Sequence, residues 1–93
     1  MSTTPRFVLG RVVATAEVLE ALRRADQDLG ELLRRHAAGD WGEVDAHDRR
    51  ENELSVRNGF RVLSAYTLRT GVKVWLITEA DRSSTCCLLP SEY

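Results

Sequence analysis

FRVLSAYTLRTGVKVWLITEADRSSTCCLL, residues 60–89, is the stretch that decides the fold. It contains three short runs rich in Val, Ile, Thr, Tyr and Trp, at residues 60–68, 72–78 and 85–89. Arg69-Thr70-Gly71 separates the first two, and Gly71 suits the left-handed position of a short hairpin loop. A polar turn at 79–84 separates the last two. Strand-forming runs between turn residues predict a three-stranded antiparallel meander. Within the middle run, Val72, Val74 and Leu76 share one face and Lys73, Trp75 and Ile77 the other. Apolar residues on both faces mark a central strand that needs cover twice.

The upstream chain supplies candidates for that cover. Residues 1–6 read as a flexible tail of small polar residues, leaving 7–93 as one α+β domain. Residues 7–13 read as a first strand, with Gly10 marking a bulge or a close backbone approach. Thr15 is placed to cap a helix over 16–25, whose Val18, Leu19, Leu22 and Ala25 form one face. Asp26-Gln27-Asp28 ends it. Asp28 and Glu31 have capping-box spacing for a second helix, whose inner face is Leu29, Leu32, Leu33 and His36 or Ala37 and which Gly39 stops. Trp41 is expected to fold onto the core. Asp45 caps a third helix over 46–57, which is charged and has only Leu54 and Val56 as apolar anchors. The expected architecture is therefore α+β: an N-terminal strand, two to three helices, then a three-stranded antiparallel meander packed on the helices. The first strand pairs with the last or lies beside the middle one. The second sheet face requires the third helix, the Trp41 loop or a partner, so a homodimer is compatible with the pattern.

A chain of 93 residues with 29% charged residues and net charge −1 argues against a general nucleic-acid-coating protein. No apolar run is long enough to span a bilayer, and the N-terminus lacks the apolar stretch of a signal peptide. Adjacent Cys86 and Cys87 form neither a disulfide framework nor a metal knuckle. They predict reduced thiols in a cytoplasmic protein, with one side chain in the core and the other half-exposed.

Three groups have chemistry-bearing residues. His36, Asp40, Asp45, His47 and Asp48 are metal-ligand types, but their spacing matches no metal motif and helix capping accounts for them. Glu79, Asp81, Arg82 and Ser83 converge at a hairpin. There a carboxylate and an arginine suit general-base or phosphate chemistry, turn hydrogen bonding, or a binding epitope. Trp75 and Tyr66 suit base stacking or cross-strand packing, with packing the default. No nucleophile elbow, phosphate loop or zinc motif occurs, so neither a cofactor nor a metal is expected. The candidate surface is Asp40, Trp41, Glu79, Asp81, Arg82 and Ser83.

GDWG at 39–42, DRREN at 48–52, RVLS at 61–64, WLITEADRS at 75–83 and LLPSEY at 88–93 resemble a family of small bacterial plasmid- and phage-associated proteins. Its members carry names such as "plasmid-related protein" or "type I restriction endonuclease subunit M". The likeness runs from about Leu9 onward and implies a mobile-element setting, in which small near-neutral proteins are often binding proteins. Methyltransferase activity is not implied, because no Gly-rich strand-to-helix motif is present. The order strand, two helices, meander also resembles RelE/ParE-type toxins. Those are usually basic, which this chain is not, so no catalytic residue is carried over. The resulting expectation is a non-enzymatic protein-binding module, such as an inhibitor of the anti-CRISPR or anti-restriction type. The alternatives are a toxin-like ribonuclease or gyrase binder, and a small nucleic-acid binder.

Overall fold

In the computed structural model, which describes residues 4–93, the meander forms as β2 (Val62–Thr67), β3 (Lys73–Thr78) and β4 (Ser84–Leu88). β2 pairs antiparallel with β3, and β3 antiparallel with β4. The N-terminal strand β1 (Arg11–Ala14) then adds parallel to β4, giving a mixed four-stranded sheet in the order β1-β4-β3-β2. The whole sheet is thus not antiparallel, and of the two placements expected for the first strand, pairing with the last is the one adopted. β1 is also shorter than its apolar run. At Gly10 the chain takes φ +66, and a Cβ there would collide with the carbonyls of Arg82 and Ser83. That close approach needs glycine and delays the regular strand to Arg11.

Three helices join β1 to β2: α1 (Ala16–Ala25), α2 (Leu29–Ala37) and α3 (Ala46–Asn58). Each starts on the expected cap. Thr15 Oγ1 accepts from the Val18 amide at 3.1 Å, Asp28 Oδ1 from Gly30 at 3.3 Å, and Asp45 Oδ1 from Asp48 at 2.8 Å. Asp28 thus caps through Gly30, and Glu31 does not complete the expected box. Val18, Leu22 and Ala25 of α1 and Leu32 of α2 pack on Tyr66, Val74, Leu76 and Cys87 of the sheet. Each such buried leucine contributes about 2 kcal/mol of hydrophobic stabilisation.

α3 departs from the expected apolar anchoring. Leu54 is exposed, and the buried residues are Asn52 and Ser55. Asn52 lies against the outer edge of β2, where its Nδ2 donates to the Leu63 carbonyl at 2.7 Å and its Oδ1 accepts from the Leu63 amide at 3.1 Å. One side-chain amide therefore substitutes for a neighbouring strand. The next outward residue is satisfied by the loop before α3: Ala65 N–H donates to Trp41 O at 3.0 Å, and Glu43 N–H donates to Ala65 O at 2.7 Å. Gly42, at φ +73, has no room for a Cβ against Ala65 and Tyr66.

The opposite sheet face carries Trp75 and Ile77. A 3-10 turn (Pro90–Glu92) folds the C-terminus over it, placing Tyr93 edge-on to Trp75 at 5.6 Å. Arg61 Nη1 donates to the Tyr93 hydroxyl at 2.9 Å. Ile77 is 7% exposed on this face. Of the expected tail, residues 1–3 lie outside the described residues, while Arg6 forms a two-bond ion pair with Glu53 at 2.8 and 2.9 Å.

Asn52→Ala is expected to cost about 2–3 kcal/mol in urea unfolding, because it strands a buried N–H and C=O on Leu63. Leu54→Ala on the same helix is expected to change stability by less than about 1 kcal/mol.

Candidate functional site

The most concentrated polar chemistry lies inside the sheet–helix layer. The Leu29, Leu32, Leu33 stripe of α2 continues into His36, which is fully buried. Its Nδ1 lies 2.5 Å from Ser64 Oγ and its Nε2 lies 2.8 Å from Thr78 Oγ1. Thr78 Oγ1 is 2.7 Å from Thr85 Oγ1, which donates to the Leu9 carbonyl at 2.7 Å. That final acceptor sets the direction of the chain. Thr85 spends its proton on Leu9, so Thr78 must donate to Thr85 and accept from His36. Nε2 therefore carries the imidazole proton, and Nδ1 accepts from the Ser64 hydroxyl. Phe7 at 5.2 Å and Trp41 at 6.1 Å meet the ring edge-on. His36 is neutral, held to about 4 by burial and then by the Arg82 charge. His36 thus belongs to the core face of α2, and its side chain takes no part in helix capping.

Ser64 beside an imidazole has the spacing of a nucleophile and its base. Both residues are fully buried, and Thr78 stands where a charge-stabilising carboxylate would be needed. No substrate carbonyl can reach the pair, so its role is to tie α2, β2, β3, β4 and the N-terminal segment together.

The residues singled out at the surface are dispersed. Trp41 is 1% exposed, and its Nε1 donates to Glu53 Oε2 at 3.0 Å. Hydrogen bonds from Arg6 and then Trp41 hold the Glu53 carboxyl down at about 2. Asp40 accepts from Arg35 Nε at 2.7 Å, which lowers its pKa, and the Asp40 carbonyl accepts from Tyr66 OH at 2.6 Å. Burial pushes the Tyr66 phenol up to about 12.

At the β3–β4 hairpin Arg82 turns inward. It adopts φ 61, and its guanidinium donates to the carbonyls of Phe60 at 2.6 Å, Glu79 at 3.1 Å and Ser55 at 2.8 Å. It thereby serves the C-terminal end of α3, where a cation is favoured. Ser83 lowers the Asp81 carboxyl, first through its hydroxyl and then through its amide, which donates to Asp81 Oδ1 at 2.9 Å, and Glu79 accepts from Arg61 at 3.4 Å. Acid, base and hydroxyl are thus adjacent in sequence yet engaged in separate turn and packing contacts.

His36, Asp40 and Asp45 likewise serve a core chain, an ion pair and a cap, and no group of three or more metal-ligand side chains converges among the described residues. Cys87 is buried and its thiol is pushed up to about 12, while burial also raises half-exposed Cys86. Neither environment favours a reactive thiolate.

An open groove of about 1030 Å³ lies between the N-terminal segment and α2. Pro5, Leu9, Leu33, Ala37 and Ala38 line it together with Glu31, Arg34, Arg35 and Asp40. Of the residues singled out from sequence, only Asp40 belongs to it. Comparison with known proteins adds no assignment: no protein-family model, no curated protein and no solved structure matches the chain. Among the described residues no helix is long and apolar enough to cross a membrane.

The neutral His36 makes folding acid-sensitive in a defined window. The unfolded chain takes up this proton near pH 6.5, whereas the folded chain resists it to about pH 4. Stability is therefore expected to fall by about 3 kcal/mol as pH drops from 6.5 to 4. Glu53 acts later, because its depressed carboxyl loses its contribution only as pH falls from about 4.5 toward 2. Urea unfolding at stepped pH, with NMR titration of His36, separates the two windows; a flat profile from 6.5 to 4.5 would contradict a neutral buried imidazole.

Proposed function

We propose that the chain is a non-enzymatic protein-binding module, and that the groove along α2 receives an extended segment of its partner. The observation carrying this reading is the groove itself, an open concavity with Leu9, Leu33 and Ala38 beside the opposite charges of Arg34 and Glu31. Apolar surface with convergent charges suits a peptide segment, which needs both burial and orientation. The polar groups able to do chemistry favour it indirectly, since His36, Ser64 and Arg82 are committed to internal hydrogen bonds. The family resemblance of GDWG and WLITEADRS supports a plasmid- or phage-borne setting. On this reading the protein acts in the cytoplasm, where Cys86 and Cys87 remain reduced, and its partner is a component of a host defence system.

The test starts from a partner recovered on the immobilised protein, identified, purified and titrated calorimetrically. Ala38→Arg, which fills the groove, and Arg34→Glu, which reverses a charge on it, are each expected to weaken binding roughly tenfold or more. Asp81→Ala on the distant hairpin is expected to leave it unchanged. Binding indifferent to both groove variants would remove the groove from the reading. RNA cleavage by the purified protein, abolished by Glu79→Ala, would replace the reading with the toxin-like one.

A further inference from the structure

The two edges of the sheet are treated differently. On β2 the outward backbone groups of Leu63 and Ala65 are satisfied by Asn52 and the Trp41–Glu43 segment. β1, the other edge, has no such cover among the described residues. Its pairing with β4 runs through Arg11 N–H to Ser83 O at 2.9 Å and Thr15 N–H to Cys87 O at 3.1 Å. Alternation along the strand then turns the N–H and C=O of Val12 and Ala14 outward. Apolar side chains cluster at the same place. Of the eight large hydrophobic residues exposed among the described residues, Val8, Val12, Val13 and Leu19 fall within residues 8–19, on β1 and the segments flanking it.

We infer that β1 is a dimerisation edge, pairing antiparallel with β1 of a second copy to make a continuous eight-stranded sheet. A two-fold axis requires identical strands to pair antiparallel. Only registers that match outward-facing residues form hydrogen bonds. The register with Val12 opposite the second copy's Ala14 uses all four outward-facing residues and places Val13 on the axis against its counterpart.

Charge selects the same register. It sets Arg11 across from the second copy's Thr15, whose hydroxyl donates to Glu92 Oε1 at 2.9 Å. Among the described residues Arg11 has no ion-pair partner, and Glu92 Oε2 accepts no hydrogen bond. Arg11, Val13 and Thr15 all lie on the sheet face over which the C-terminal turn folds. The dimer therefore gains two Arg11–Glu92 pairs related by symmetry, one on each side of the Val13 contact. This interface is separate from the α2 groove, so it stands or falls independently of the partner proposed there.

Sedimentation equilibrium of the full chain tests it. The wild type is expected to show a reversible monomer–dimer equilibrium. Arg11→Glu is expected to raise the dimer dissociation constant roughly tenfold or more, and the double variant R11E/E92K to recover most of the loss. Because Glu92 also accepts from the Leu89 amide at 2.8 Å, amide hydrogen exchange provides a second measurement that needs no substitution. The Val12 and Ala14 amides are expected to gain protection as protein concentration rises. A strictly monomeric protein up to millimolar concentration would overturn the inference. So would a dimer unaffected by Arg11→Glu, or one in which the Val12 and Ala14 amides stay unprotected.

Discussion

The outward N–H and C=O groups of an edge strand must find partners, and that requirement governs much of this structure. A four-stranded sheet has two such edges, and an exposed one is a template for further pairing. At β2 the requirement explains features that otherwise look unrelated. It accounts for a charged helix held through an asparagine, a tight turn at Gly42, and a tryptophan carried back over the core by the same segment. Remove the edge's needs and α3 has little reason to dock, since Leu54 is exposed and Val56 only half-buried. The docking is directional: an amide side chain offers one donor and one acceptor in the geometry of a peptide group, so it fixes the helix's position along the strand as well as its contact with it.

The His36 chain answers a related requirement in the interior. Ser64, Thr78 and Thr85 lie on the inward face of three successive strands, where apolar residues would be the simple choice. Their hydroxyls are tolerated because each is paired, and no buried side-chain polar atom among the described residues lacks a partner. A half-satisfied network would destabilise more than an apolar core, whereas a complete one selects a single arrangement. The run of donors from Ser64 to Leu9 works in one direction only. It therefore specifies a neutral imidazole, one tautomer and the seating of the N-terminal segment together.

Local signals carried far in the sequence. Thr15, Asp28 and Asp45 announced the three helix starts because capping depends only on the next few residues, and Gly39 marked a stop for the same reason. The meander was legible from alternation and turn residues. The parallel addition of β1 to β4 was open, because the four residues of β1 do not encode a partner remote in sequence. The charged character of α3 was legible, but its docking through Asn52 was missed because apolar periodicity cannot report a helix held by hydrogen bonds. The core histidine did leave a trace. His36 continues the Leu29, Leu32, Leu33 stripe, and Ser64, Thr78 and Thr85 share strand parity with Tyr66, Leu76 and Cys87. Three hydroxyls on an otherwise apolar face, together with one histidine on an apolar stripe, form a matched set once read jointly.

That lesson changes how the charged residues should be weighed. A short chain has little apolar interior to spend on each connection, so polar side chains act as its cross-links. Arg82 binds three carbonyls, Arg6 and Trp41 share Glu53, and Arg35 lies over the Tyr66 ring at 4.4 Å. In sequence these residues resemble a reactive cluster, since chemistry and cross-linking draw on the same side chains. Accessibility separates the two uses. Groups engaged in internal bonds are unavailable to a substrate, while the open α2 groove and the bare β1 edge are surfaces on which another chain can still be recognised. Function in this molecule is therefore better sought where internal satisfaction stops than where polar residues are most concentrated.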